Sequence, residues 1–284
     1  MILTLLISIA ALLYSSVGHG GASGYLAAMA LFGLNQTAMK PSALVLNLFV
    51  SGVGSFRYGR AGCFSWPIFW PFAIFSVPCA FVGGAYQLPG GAYRVVLGLV
   101  LLFAAWQLAF KVTNKRGEPV GGNDSRTNQS ATSATSPTRA HDAGDRRPLE
   151  QSRDSSEKSL RPPPMLAALA VGAPIGLLSG LVGVGGGIFL SPLLLLLGWA
   201  DVRRMAGVSA VFILVNSAAG LLGQILIGTG VQSIPHDILW WTPAALVGGL
   251  VGSELGSRRL APLTMRRLLA AVLVVAAIKL VLPK

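Results

Sequence analysis

Charge is what this sequence has least of. Of its 284 residues only 11% are charged, while 53% are hydrophobic; a soluble domain of this size carries about a quarter charged residues. A soluble fold could not hide that much apolar surface. Acidic residues are scarcest: seven of the ten Asp and Glu lie between Glu118 and Glu157, leaving Asp201, Asp237 and Glu254 for the rest of the chain. The sequence offers no paired carboxylates, no nucleophile with a base at fixed spacing and no metal-ligand cluster, so it reads as neither an enzyme nor a cofactor protein. Cys63 and Cys79 form no CxxC or metal-spaced pattern, and Cys79 sits inside an apolar run, which argues against a disulfide or metal role. No basic residue precedes the first apolar stretch, so residues 1–17 read as a retained membrane segment and not a cleaved signal peptide. The formal charge of +12 would suit nucleic acid only on a soluble basic surface, which is lacking; most of the cations read as topology signals at helix ends.

Apolar runs are abundant. Stretches near the roughly 20 residues that cross a bilayer lie at 41–57, 66–87, 94–111, 204–228, 237–257 and 265–283, and two longer runs, 1–34 and 165–199, are broken by glycine clusters. Between them, 112–164 is rich in Ser, Thr, Asp, Arg and Pro without apolar periodicity, and reads as a disordered linker. The expected organisation is an all-α polytopic membrane protein of about eight hydrophobic segments: a repeat over 1–111, the linker, and a second repeat over 165–284.

The repeat is visible at an offset of 165: Gly18, Gly20 and Gly21 fall on Gly183, Gly185 and Gly186, Gly33 on Gly198, Pro78 on Pro243, and Gly83-Gly84 on Gly248-Gly249. If each broken run crosses the membrane once, the halves are parallel and the juxtamembrane cations divide eight against eight. If each run is a hairpin of two half-helices, the halves are inverted. Twelve cations (Arg57, Arg60, Lys111, Lys115, Arg116, Arg161, Arg203, Arg204, Arg258, Arg259, Arg266, Arg267) then face four (Lys40, Arg94, Lys279, Lys284). The positive-inside rule favours the inverted arrangement, with a cytoplasmic linker and both termini outside.

Non-helical backbone at membrane depth is tolerated only against protein or a water-filled cavity. In transporters with inverted repeats, half-helices starting at such breaks aim backbone N–H groups and a positive dipole end at an anion. Gly18, His19, Gly20 and Gly21, with Gly183, Gly185, Gly186 and Gly187, are therefore the candidate site, with half-helices expected to start near Ser23 and Ile188. Close helix packing is the competing use of glycine, and is preferred for the four-residue spacing of Gly248, Gly252 and Gly256. No Lys-Ser or Lys-Thr follows either cluster, which excludes a phosphate-binding loop. His19 is the only histidine in an apolar segment and is a candidate for binding the anion or carrying a coupled proton. Glu254 is a second proton-coupling candidate, although a helix ion pair with Arg258 explains it more simply. Asn47, Ser51, Ser209, Asn216 and Ser217 either line a cavity or bond between helices, and sequence does not choose.

The run Gly180, Gly183, Gly185, Gly186, Gly187, Ser191, Pro192, followed by Ala206, Gly207, Val208 and Ser209, resembles the sulfite exporter family of the TauE/SafE type. The likeness covers both halves and omits the linker. It implies secondary transport, in the export direction that the family name carries, of sulfite or an organosulfonate across a bacterial cytoplasmic membrane. The partners implied are a small anion and the lipid bilayer, and a homo-oligomer is allowed. The glycine motif falls on Gly183, Gly185, Gly186 and Gly187, and in the first half on Gly18, Gly20 and Gly21; His19 and Ala22 depart from it, and the linker is long. A membrane scaffold recruiting a partner through the linker, and a passive anion channel, are the alternatives from other classes. The charge count makes its own prediction: a reporter fused to the C-terminus will lie outside the cytoplasm, and a cytoplasmic signal would overturn the inverted arrangement.

Overall fold

The computed structural model describes residues 1–16, 18–110, 164–227, 233–258 and 273–279. The described residues include helices α1 (Ile2–Ser15), α2 (Ala22–Leu31), α3 (Gln36–Arg60), α4 (Trp66–Ala85), α5 (Gly90–Phe110), α6 (Met165–Val182), α7 (Gly187–Leu196), α8 (Val202–Leu226) and α9 (Ile238–Arg258). A further helical stretch covers 273–279, and no strand occurs among the described residues. The expected linker, save Pro164, and most of the last expected segment lie outside them.

Local chemistry sets several of these ends. The Asp201 carboxylate accepts the Arg204 backbone N–H at 2.7 Å and starts α8. Pro67 in the first turn starts α4, where its missing N–H costs nothing. α2 and α7 both stop at a glycine with left-handed backbone, Gly33 (φ 75°) and Gly198 (φ 66°). These are the positions that matched in the repeat, and the match has a physical cause, since a left-handed cap favours a residue without Cβ.

Five described helices, α4, α5, α6, α8 and α9, are long and apolar enough to cross a membrane. Val95, Leu99, Leu102 and Trp106 are exposed along one face of α5, a stripe that is stable against lipid and not against water. α3 is long enough at 25 residues but is more polar, carrying Lys40, Asn47, Ser51, Arg57 and Arg60. α6, at 18 residues, is also of spanning length. The run 165–199 breaks at the expected glycine cluster, after Val182, and its first arm is longer than the 14-residue α1 of the first run.

The first broken run bends back on itself. Ser23 Oγ donates to the Tyr14 hydroxyl at 2.6 Å, and Gly24 lies against Ala10 and Tyr14. The far end of the hairpin returns to its start, where Met1, Ile2, Phe32 and Leu34 line one opening.

The halves interlock by exchanging helices. α1 packs along α9, with Gly248 and Gly252 pressed on the carbonyls of Ser8 and Leu12. The reciprocal pair is α4 with α6, where Gly172, Gly176 and Gly180 meet the carbonyls of Phe72, Ser76 and Ala80. Both pairs run parallel, and both are small-residue interfaces that bring backbones together. Gly256 has a side-chain position outside the described residues. Two cores result: one draws on α1, α2, α3, α5 and Trp241 and Ala245 of α9, the other on α6, α7, α8 and Phe69, Phe72 and Ala73 of α4.

At the centre α3 crosses α8. Leu44 lies near Gly220, Asn47 near Ser217, Gly52 near Leu214 and Gly54 near Ala210, so the partner number falls as the α3 number rises and the helices are antiparallel. On α9, Glu254 accepts from Arg57 Nη1 at 2.6 Å. Arg57 also donates to the Leu250 carbonyl at 3.1 Å. The local partner expected for Glu254, Arg258, has a side chain outside the described residues; the contact that sequence spacing missed is the one with α3.

These interfaces predict which glycines tolerate change. Gly176→Leu drives a side chain into the Ser76 backbone and should destabilise the detergent-solubilised protein by about 3 kcal/mol. Gly59, with open space beside it, should accept alanine with neutral or slightly higher stability, up to about 1 kcal/mol. Thermal unfolding of both variants checks this, and equal midpoints would contradict it.

Candidate glycine-loop site

The two helix breaks are built alike. In the first, the Gly18 N–H bonds the Ser15 carbonyl at 3.1 Å and the His19 N–H bonds the Tyr14 carbonyl at 2.9 Å. In the second, the N–H groups of Gly183 and Val184 bond the Ser179 carbonyl at 2.8 and 3.2 Å. Gly18 (φ 80°), Gly21 (φ 96°), Gly183 (φ 87°), Gly185 (φ 81°) and Gly186 (φ 80°) are all left-handed. α2 and α7 therefore start at Ala22 and Gly187, each one residue before the expected Ser23 and Ile188.

Each break rests on the other half of the chain. Gly18 lies against Ala206 at the start of α8, and Gly183 against Lys40 at the start of α3. Between them, Gly20 and Gly185 face the same two side chains. A Cβ at Gly20 would lie 2.7 Å from Asn47 Oδ1 and 3.0 Å from Ile213 Cγ2; one at Gly185 would lie 2.7 Å from Ile213 Cγ2 and 2.9 Å from both Asn47 Nδ2 and Ser217 Oγ. The α3–α8 crossing thus holds both loops, and only glycine fits so close.

Polar satisfaction is incomplete here. The caps Gly21 and Gly186 carry no side-chain acceptor. Among the described residues, no backbone or side-chain acceptor takes the N–H of Gly20, Gly21 or Ala22, or of Gly185, Gly186 or Gly187. Three buried side chains beside the loops also lack partners among those residues: Ser15 Oγ, Asn47 Oδ1 and Ser179 Oγ. Asn47 and Ser179 are 0% exposed. Buried polar groups are nearly always paired, and buried helix N-termini without caps attract anions. Among the described residues no carboxylate lies nearby: Asp201 caps α8, Asp237 lines the opening beside Trp240 and Glu254 meets Arg57.

A cavity of about 10 Å³ adjoins the first loop, lined by Ser15, Gly18, His19, Gly20, Val50, Ser51, Gly54, Tyr58 and Ala210. That is room for about one water and not for an oxyanion. Gly18, His19 and Gly20 are thus brought together with Asn47, and Gly183, Gly185, Gly186 and Gly187 approach the same crossing from the other side.

Other candidates are engaged elsewhere. Ser23 braces α1 through Tyr14. Ser209 shares a 2.8 Å hydrogen bond with Ser191 of α7. Asn216 accepts from Ser76 at 2.8 Å and donates to the Phe212 carbonyl at 2.9 Å. Sequence reading passed over Ser15, Tyr58, Ser179 and Ile213. The two serines left a trace, since each precedes a glycine cluster by three or four residues; Ile213 left none.

Comparison with known proteins fits this geometry. The family model "Sulfite exporter TauE/SafE" matches residues 3–280. The probable membrane transporter protein y4hK of Sinorhizobium fredii is 37% identical over 270 residues, 95% of this chain and 93% of that protein. The probable membrane transporter protein MamO is 25% identical in two magnetotactic bacteria. In Paramagnetospirillum magneticum the match covers 83% of this chain and 37% of MamO. In Magnetospirillum gryphiswaldense it covers 92% of this chain and 41% of MamO, so the chain spans about two fifths of those longer proteins. No solved structure matches the chain. With its apolar helices and this near-complete match, the chain is a multi-pass membrane protein of the transporter class, not an enzyme, and it belongs to the sulfite exporter TauE/SafE family.

Proposed function

We propose that the chain is a secondary transporter exporting a small sulfur-containing anion, sulfite or an organosulfonate, across a bacterial cytoplasmic membrane, coupled to protons or to the membrane potential. One observation carries the reading: two buried, glycine-capped helix N-termini converge from opposite halves on Asn47 with their first N–H groups unaccepted among the described residues. Such groups stabilise an oxyanion by dipole and hydrogen bond together. The substrate-binding set is Gly18, His19, Gly20, Gly21 and Asn47 with Gly183, Gly185, Gly186 and Gly187. Ser23, Ser209 and Asn216 hold the helices around it.

The halves act as inverted repeats in this reading. Support comes from the equivalent helices α3 and α8 running antiparallel, and from the reciprocal pairs α1 with α9 and α4 with α6. The 10 Å³ cavity corresponds to a closed form, and alternating access opens the crossing to one side at a time. His19, lining that cavity, is the better placed of the two proton-coupling candidates; Glu254 is occupied by Arg57.

Labelled sulfite flux in proteoliposomes, with sulfate and an organosulfonate as comparators and with or without an imposed proton gradient, tests the proposal. Saturable sulfite flux that responds to the gradient and is lost in Gly185→Leu is the expected result. No flux for any of the three anions through folded protein would overturn it in favour of a scaffold. His19→Gln should abolish accumulation against the gradient while leaving downhill exchange, and Glu254→Gln should leave both; the opposite pattern would move the coupling role to Glu254.

A further inference from the structure

We propose that the site takes its anion as a protonated monoanion, an oxyanion that keeps one O–H, and that Asn47 Oδ1 accepts the hydrogen bond from that proton. This rests on the reading of the glycine loops as an anion site and names the form of the substrate they select.

Asn47 is 0% exposed. Its Nδ2 donates to the Val184 carbonyl at 3.2 Å, and a carbonyl has no proton to give, so the amide has one orientation there. Oδ1 is therefore turned to the other side, against Gly20, where it has no donor among the described residues. The other orphans can adapt. The hydroxyls of Ser15 and Ser179 donate or accept as required, and the loop N–H groups only donate. Asn47 Oδ1 can only accept. The junction thus offers several donors and one acceptor that needs a proton brought to it.

A dianion would satisfy the donors but set its lone pairs against those of Asn47. A sulfonate, with oxygens and no O–H, would leave Oδ1 buried and unpaired. A hydrogen-bearing monoanion meets both demands, and an unmet buried acceptor costs a competing ligand about five- to a hundredfold in affinity. The proton that matters is the ligand's and not a side chain's. His19 is the titratable side chain of the facing loop, and Tyr14 and Tyr25 stand behind it on α1 and α2, with the Tyr25 hydroxyl donating to the Gly20 carbonyl at 2.7 Å. Tyr58 lies further along α3, and Lys40 at the start of α3 stands against Gly183 of the second loop with its ammonium turned to the carbonyls of Gly83, Gly84 and Tyr86; Ile213 and Ser217 of α8 and Val184 and Gly185 bring no titratable group.

The test is calorimetric binding of sulfite and of methanesulfonate to the full-length protein in detergent, across pH values spanning the second ionisation of sulfite. Methanesulfonate stays ionised and lacks an O–H throughout, so its profile reports any contribution of His19 or Lys40, and the ratio of the two affinities isolates the ligand proton. Where sulfite carries its proton, it should bind about five- to a hundredfold more tightly than methanesulfonate. Above that ionisation the ratio should fall about tenfold per pH unit. Asn47→Leu should bring the two ligands within about threefold of each other, and if that variant fails to fold, the wild-type ratio decides. Equal binding of both anions, or a ratio independent of pH, would overturn the inference while leaving the anion site standing, with Oδ1 served by a bound water only. Binding of neither anion at any pH would overturn the anion-site reading and this inference with it.

Discussion

Backbone N–H groups cannot be left facing lipid. A helix that breaks at membrane depth must be wrapped by protein, and this chain breaks twice, at Gly18–Gly21 and Gly183–Gly187, with every described residue of both loops buried. The rest of the fold can be read as the enclosure that those breaks require. α3 and α8 cross between the loops, the start of each helix supports the loop of the opposite half, and Asn47 and Ile213 close the gap.

Exchange of the fourth helices follows from the same requirement. Each hairpin needs a neighbour that approaches its backbone closely, and the glycines of α9 and α6 provide this on α1 and α4. Those interfaces are tight along several turns. Contacts between the pairs are different in kind. The α3–α8 crossing relies on Asn47, Ser217 and small residues, and the far end on a half-exposed Arg57–Glu254 bond, a surface contact worth no more than about 1 kcal/mol.

Buried polar residues divide by the same logic. Lys40 donates its three protons to the carbonyls of Gly83, Gly84 and Tyr86 at 2.9–3.1 Å, tying α3 to the C-terminal end of α4. Ser76 with Asn216 and Ser191 with Ser209 are likewise complete. Ser15, Asn47 and Ser179 beside the glycine loops are unmet, as are Gln36, Ser42, Ser55, Gln107 and Gln224 elsewhere among the described helices; what sets the first three apart is their place beside the two breaks.

Much of this was legible before any coordinates. The scarcity of charge dictates a membrane, because apolar surface must face lipid if it cannot be buried. Left-handed glycines announce helix breaks because other residues avoid that backbone, so α2 and α7 begin within one residue of expectation. Paired glycines at a fixed offset announce the repeat. What only the tertiary structure decided is which polar groups meet. Glu254 finds Arg57, distant in sequence, while Ser209 and Asn216 spend their hydrogen bonds on neighbouring helices and Asn47 keeps one unspent. Periodicity and spacing describe one helix at a time, whereas satisfaction of a buried group depends on which helix packs against it.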